Sequence, residues 1–236
     1  GLVYATIGAR VSVDGLLADA DGAIAQGGLL WAGQGSTLSV TGSIITRSTA
    51  DEGGALYATD ASATIVDTLV DCTGGTAATS GGGMLFTEGA TAALSRSTVA
   101  KCAAARGGAM QLQSRALAPR GPGRTDTYAI SVAPRVTLDA TNLTGCTASV
   151  AGGGIDAVGT STLRVLVTMT HSTIADAHAP GGLGGGIAVA SGVVDMVSSN
   201  MLRSHAQHGA SIYADVASSV AINSSALRDG NASGDG

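Results

Sequence analysis

Apolar residues along this chain recur in short alternating runs rather than in helical stripes. Stretches such as Leu56-Tyr57-Ala58, Val136-Thr137-Leu138 and Val194-Asp195-Met196 place an aliphatic at every second position, then end at Gly or Ser. A helix needs apolar residues at i, i+3, i+4 and i+7 over several turns, so the period of two predicts strands. Clustered glycines stand before most of these runs: "GGLLWAG" at Gly27, "GGALYATD" at Gly53, "GGGMLFTEG" at Gly81, "GGAMQLQS" at Gly107, "GGGIDAVG" at Gly152, "GGGIAVAS" at Gly184 and a weaker "GASIYADV" at Gly209. The apolar residue that follows them falls at Val3, Leu30, Leu56, Met84, Met110, Ile155, Ile187 and Ile212, at intervals of 27, 26, 28, 26, 45, 32 and 25.

A fixed period of this length marks a repeat architecture. Within each unit a second apolar pair follows, Leu38/Val40, Ala92/Leu94, Val136/Leu138, Val167/Met169, Val194/Met196 or Val220/Ile222, with the unit at Ser62 slipped by one residue. Next comes a small polar residue (Ser43, Asp67, Ser97, Thr141, Ser172, Ser199 or Ser225) and then an aliphatic (Ile45, Leu69, Val99, Leu143, Ile174, Met201 or Leu227). The pattern predicts an all-β chain with three short strands per unit. Each unit of ~26 residues is one coil of a parallel β-solenoid, which pairs only with its neighbours and shares one aliphatic stack. About eight coils form a single segment over residues 1–236, interrupted by loops near 113–131 and 178–184. Neither end carries the polar cap that solenoids need, which predicts a piece of a longer chain or a module docked end-on to further coils. The paired glycines Gly27, Gly28, Gly53, Gly54, Gly82, Gly83, Gly107, Gly108, Gly153, Gly154, Gly185 and Gly186 are read as the corners of the coils, where the backbone needs φ > 0. On this phase Leu56 and Ala58 face the stack. Trp31, Tyr57 and Tyr213 face outward, on coils that are not contiguous.

The stretches Gly53-Gly54-Ala55-Leu56 and Gly107-Gly108-Ala109-Met110, with the looser copies above, resemble the G-G-A-[ILV] repeats of polymorphic outer membrane proteins and similar autotransporter-like surface proteins. The likeness covers nearly the whole chain. It implies a right-handed parallel β-helix and a general role at a surface. That family's second motif, F-x-x-N, is not kept, because the asparagine position here is held by Cys72, Cys102, Cys146, Ala177 and Ser204.

Composition narrows the function classes. The chain is 44% hydrophobic with only six aromatic residues, so its core is built from aliphatics. A net charge of -5 and dispersed basic residues leave no basic stripe for nucleic acid. No apolar run approaches the ~18 residues of a membrane span, and no basic-then-apolar leader opens the chain, whose first residue is Gly.

Candidate chemistry is sparse. Cys72, Cys102 and Cys146 share one repeat column, so they form a ladder of buried thiols, a disulfide between two of the three, or a metal site; adjacent coils lie within disulfide reach. The preceding column, Arg47, Asp71, Lys101, Gly145, Asp176, Arg203 and Asp229, alternates in sign as a solvated ladder does. His178 and His205 share another column near His208, as surface histidines or as a transition-metal pair. "DADG" at Asp19 opens like a calcium loop but lacks its later ligands. Asn142, Asn223 and Asn231 lie in N-x-[ST] sequons, at positions expected to point outward.

The loop near 113–131 carries Arg115, Arg120, Arg124 and Tyr128 and suits an acidic partner or a glycan. The "HAPGGLGGG" stretch reads as turn material. Asp67, Asp71, Glu88, Asp139, Asp156 and Asp195 are scattered, and glycoside hydrolysis needs carboxylates that converge. The sequence therefore predicts no catalytic residue, no metal and no cofactor. Its expected role is a non-enzymatic structural or adhesive β-helix module of an extracellular or cell-surface protein, contacting protein or glycan. The alternative is a polysaccharide lyase or glycosidase on the same scaffold.

Overall fold

The computed structural model describes residues 3–19, 24–74, 77–114 and 132–234. Among them every regular element is a strand, and the strands form four eight-stranded parallel sheets, each coil contributing one strand to each sheet. The architecture is the parallel β-helix of about eight coils that the repeat predicts. The first sheet follows the glycines and runs Val3–Ala5, Leu30–Gly33, Leu56–Thr59, Met84–Thr87, Met110–Gln113, Ile155–Val158, Ile187–Ala190 and Ile212–Ala214. The second begins at Arg10–Asp14 and the third at Leu17–Asp19.

The number of strands per coil is a correction: there are four, not three. The fourth sheet lies just before the glycines and includes Ala50–Glu52, Ala103–Arg106, Thr147–Ala151, His178–Leu183 and His205–His208. Its register shifts between Ala104 and Arg106, between Thr147 and Ala151, and between Ala179 and Leu183. An extra residue of this kind destroys the period of two, so the sequence showed no alternation there. The expected loop at 178–184 is corrected with it. His178–Leu183 is a paired strand, and Gly182 lies so close to Val150 that a Cβ would fall 2.0 Å from its carbonyl oxygen. Two of the extra residues of that coil lengthen this strand relative to His205–His208, and the others sit at 159–164, in a turn where the Thr160 amide donates to the Leu163 carbonyl at 2.9 Å.

The interior is an aliphatic stack. Leu56, Met84, Met110, Ile155 and Ile187 line one inward column, and Leu94, Leu138, Met169 and Met196 line another, all buried. Phe86 is buried between Ala58 and Leu112 of the neighbouring coils. The coil at Ser62 is not slipped: Ala63 and Ile65 pair with Leu38 and Val40. Its small polar residue is therefore Thr68 rather than Asp67, and its aliphatic is Val70, which pairs with Ile45.

That polar column has a clear physical task. Each hydroxyl donates to the carbonyl two residues earlier, as Ser172 does to Thr170 at 2.9 Å, and accepts from the amide of the preceding coil, as Ser172 does from Thr141 at 3.1 Å. The same pair of bonds recurs at Ser43, Thr68, Ser97, Ser199 and Ser225. It satisfies backbone groups beside a corner where Gly42, Asp67, Arg96, Ala140, His171, Ser198 and Ser224 all have φ near +50°.

The glycine corner divides its labour. Only the first glycine of each cluster has positive φ: Gly27, Gly53, Gly81, Gly107, Gly152 and Gly184. In the three-glycine clusters this corrects the expected corner, which is Gly81, Gly152 and Gly184 rather than the glycines after them. The second glycine is required for space. A Cβ on Gly54 would lie 2.1 Å from the carbonyl oxygen of Gly82, and one on Gly108 would lie 2.1 Å from that of Gly153.

Candidate functional site

The outward column of the first sheet is the least regular part of the molecule. Reading along the coils it holds Tyr4, Trp31, Tyr57, Leu85, Gln111, Asp156, Ala188 and Tyr213. Trp31 and Tyr57 are thus on adjacent coils, contrary to the expectation from spacing, and Tyr4 extends them into a ladder. The Tyr4 and Trp31 rings stack with centroids 4.2 Å apart, and those of Trp31 and Tyr57 with centroids 6.4 Å apart. The indole comes so close to Gly33 that a Cβ there would lie 2.4 Å from its Cη2. Tyr4 is exposed, whereas Tyr57 is only 4% exposed, so the outward residue of "LYATD" is buried rather than facing water. Its hydroxyl lies 3.5 Å from Thr87 Oγ1.

Further along, the column turns polar. Asp156 is buried and receives three hydrogen bonds: Arg106 Nε at 2.7 Å, Arg106 Nη2 at 3.1 Å and Gln111 Nε2 at 2.8 Å. Arg106 ends the fourth-sheet strand just before the Gly107 corner, and Gln111 and Asp156 are direct partners in the first sheet. Burial pushes the Asp156 carboxyl above the ordinary carboxylate range, outweighing the opposite pull of Arg106 and Gln111. Gln111 Oε1 is buried without a partner. In the sequence Asp156 stands among scattered carboxylates, and nothing local marks Arg106 or Gln111 as its partners. The signal was present: Gln111 and Asp156 occupy the same position of two successive glycine repeats.

Several other charges tie neighbouring coils together. Arg96 Nε and Nη2 donate to Asp67 at 2.7 and 2.8 Å, Arg203 Nε and Nη2 to Asp176 both at 2.7 Å, and Arg47 pairs with Asp19. Lys101 lies 3.9 Å from Asp71, whose carboxylate also accepts from Thr73. These arginine bonds hold Asp19, Asp67 and Asp176 below the usual carboxylate range, and the Thr73 hydroxyl does the same for Asp71. The expected charge column is therefore only part of the pattern, since Asp67 and Arg96 belong to the hydroxyl corner instead.

Comparison with protein-family models, with curated proteins and with solved structures gives no match. The molecule's own geometry must carry the functional reading.

Of the three cysteines, Cys72 and Cys102 form a disulfide with Cα atoms 4.7 Å apart, and Cys146 is a buried free thiol. Burial pushes the Cys146 thiol up to about 11. His178 and His205 pair across adjacent coils with ring centroids 6.3 Å apart, and among the described residues no group of three or more His, Cys, Asp or Glu gathers where a metal could bind. Asp19 of the calcium-like stretch is engaged by Arg47, while residues 20–23 lie outside the described ones. Asn142, Asn223 and Asn231 are all exposed, as their strand phase predicts. Arg115, Arg120, Arg124 and Tyr128 lie outside the described residues. No helix among those described is long and apolar enough to cross a membrane.

Proposed function

We propose that this chain is a non-enzymatic structural and adhesive module of a larger extracellular or cell-surface protein. One observation carries the reading: the same four parallel ladders run through all eight coils, three of them in unbroken register and the fourth with bulges, which makes a stiff body rather than a framework for a mobile site. With ~4.8 Å per coil, the stack spans ~35 Å. The Cys72–Cys102 bond between adjacent coils supports an oxidising compartment. Its contact face is the outward column of the first sheet, where Tyr4 and Trp31 offer aromatic surface to a glycan or protein.

A second reading, a polysaccharide-active enzyme, draws on the buried Asp156 carboxyl beside Arg106. One experiment separates the two. The purified chain is incubated with insoluble neutral and acidic polysaccharides, and both retention and release of reducing ends or unsaturated uronates are measured. Retention that weakens in Trp31→Ala, without turnover, is the expected result. Turnover that disappears in Asp156→Asn would replace the structural reading with the enzymatic one.

A further inference from the structure

Three cysteines on three consecutive coils leave one sulfur with two neighbours. Cys102 is bonded to Cys72 on the coil before it, and Cys146 stands on the coil after it. The Cys102 and Cys146 sulfurs occupy the same place in their coils, each 3.4 Å from the carbonyl oxygen two residues earlier, Ala100 and Thr144 respectively. Cys146 Sγ also lies 3.9 Å from the Val99 carbonyl of the Cys102 coil, and its thiolate would be stabilised by the backbone amides of Cys102 and Lys101. Cys72 Sγ instead lies 3.8 Å from the Gly82 carbonyl oxygen, and in coil order Cys102 stands between Cys72 and Cys146. Thiol–disulfide exchange needs the attacking sulfur to reach the central one from the side away from the leaving sulfur, and Cys146 and Cys72 stand on opposite neighbouring coils of Cys102.

We propose that the column is a disulfide relay in which Cys102 changes partner along the coil axis. The Cys146 thiolate attacks Cys102 Sγ, the Cys102–Cys146 bond forms, the Cys72–Cys102 bond breaks, and Cys72 leaves as the thiolate. One proton passes from Cys146 to solvent and one is taken up by Cys72, so no oxidant or reductant is consumed. The two isomers are close in chain entropy. Cys72 to Cys102 spans 30 positions and Cys102 to Cys146 spans 44, which changes the closure factor by less than about twofold. Exchange moves the covalent staple onto the coil that contains residues 115–131. The high pKa of Cys146 makes the step slow at neutral pH and faster in base.

The relay is tested by non-reducing peptide mapping of the intact chain. Trypsin separates the cysteines onto the peptides 48–96, 102–106 and 136–164. Folded protein is incubated from about pH 7 to about pH 10, quenched in acid, alkylated under denaturing acidic conditions and digested. The expected result is peptide 102–106 linked to 136–164 as well as to 48–96, with a rate rising roughly tenfold per pH unit. In Cys72→Ser treated with oxidised glutathione, the Cys102–Cys146 bond should form with unchanged circular dichroism, glutathione taking up the two electrons. Cys102→Ser should keep both remaining thiols free, because two coils separate them by ~9.6 Å. Exclusive Cys72–Cys102 linkage after prolonged alkaline incubation, or linkage to Cys146 only when urea is present, would overturn the relay. A Cys72–Cys146 bond in Cys102→Ser would overturn it too.

Discussion

Replacing Arg106 with Met keeps most of the side-chain stem and removes both bonds from the guanidinium to Asp156. Each charge-assisted bond is worth about 1.5–3 kcal/mol. The Arg106 side chain is 38% exposed, so water replaces part of what is lost, while Asp156 is only 2% exposed and cannot be rehydrated in place. The expected destabilisation is about 2–3 kcal/mol at neutral pH, most of it the penalty of a buried carboxylate left with Gln111 alone. With a urea m-value of about 3 kcal/mol/M, the unfolding midpoint should fall by about 0.7–1 M. The midpoint is the quantity to compare, because a repeat stack does not always unfold in one step.

The sign with pH is fixed by the same geometry. Burial already raises the Asp156 carboxyl, and loss of Arg106 removes the main influence lowering it. The variant's folded state then holds a proton more tightly than the unfolded chain does, so its stability deficit shrinks as pH falls from about 7 toward about 4. Asp156→Asn in the same background should recover at least half of the loss, since no buried charge remains. A deficit below about 0.5 kcal/mol, or one that does not change with pH, would refute the claim that this pair is buried and coupled.

The glycine corner separates shape from conformation. Gly54→Ala should cost more than about 2 kcal/mol in thermal or urea unfolding, because its Cβ meets the Gly82 carbonyl. Gly145→Asn should cost under about 1 kcal/mol, since its φ of +63° suits Asn and only Lys101 Cγ, at 3.6 Å, lies near its Cβ. Ser172→Ala leaves the Thr141 amide without its acceptor and should lose about 1–2 kcal/mol by the same assay, with Ser172→Thr restoring part of it. The lowered pKa values of Asp19, Asp67, Asp71 and Asp176 give stability that is present above about pH 4 and is lost as pH falls through their folded values. The urea midpoint should therefore drop between about pH 5 and about pH 2.5, and adding salt at pH 7 should weaken the contribution of the arginine pairs.

The sequence by itself determined whatever depends on one coil repeated. Alternation at Leu56 and Ala58 or at Val136 and Leu138 reports which side chains enter the stack, because strand phase is local. Glycine before each first-sheet strand reports a corner for the same reason. The hydroxyl column was visible as Ser and Thr at a fixed distance, although the bonds that explain it join different coils. Tertiary structure decided what depends on the exact number of residues between coils. Bulges of one or two residues hid the fourth sheet, and coil register moved Thr68 into the place given to Asp67. Whether Tyr4, Trp31 and Tyr57 touch follows from which coils are adjacent. Arg106 and Asp156 are 50 residues apart and meet only because a strand end on one coil reaches over the glycine corner to the next. Spacing in the sequence measures distance along the chain, whereas contact in a solenoid is set by the rise between coils. Insertions lengthen the first without changing the second.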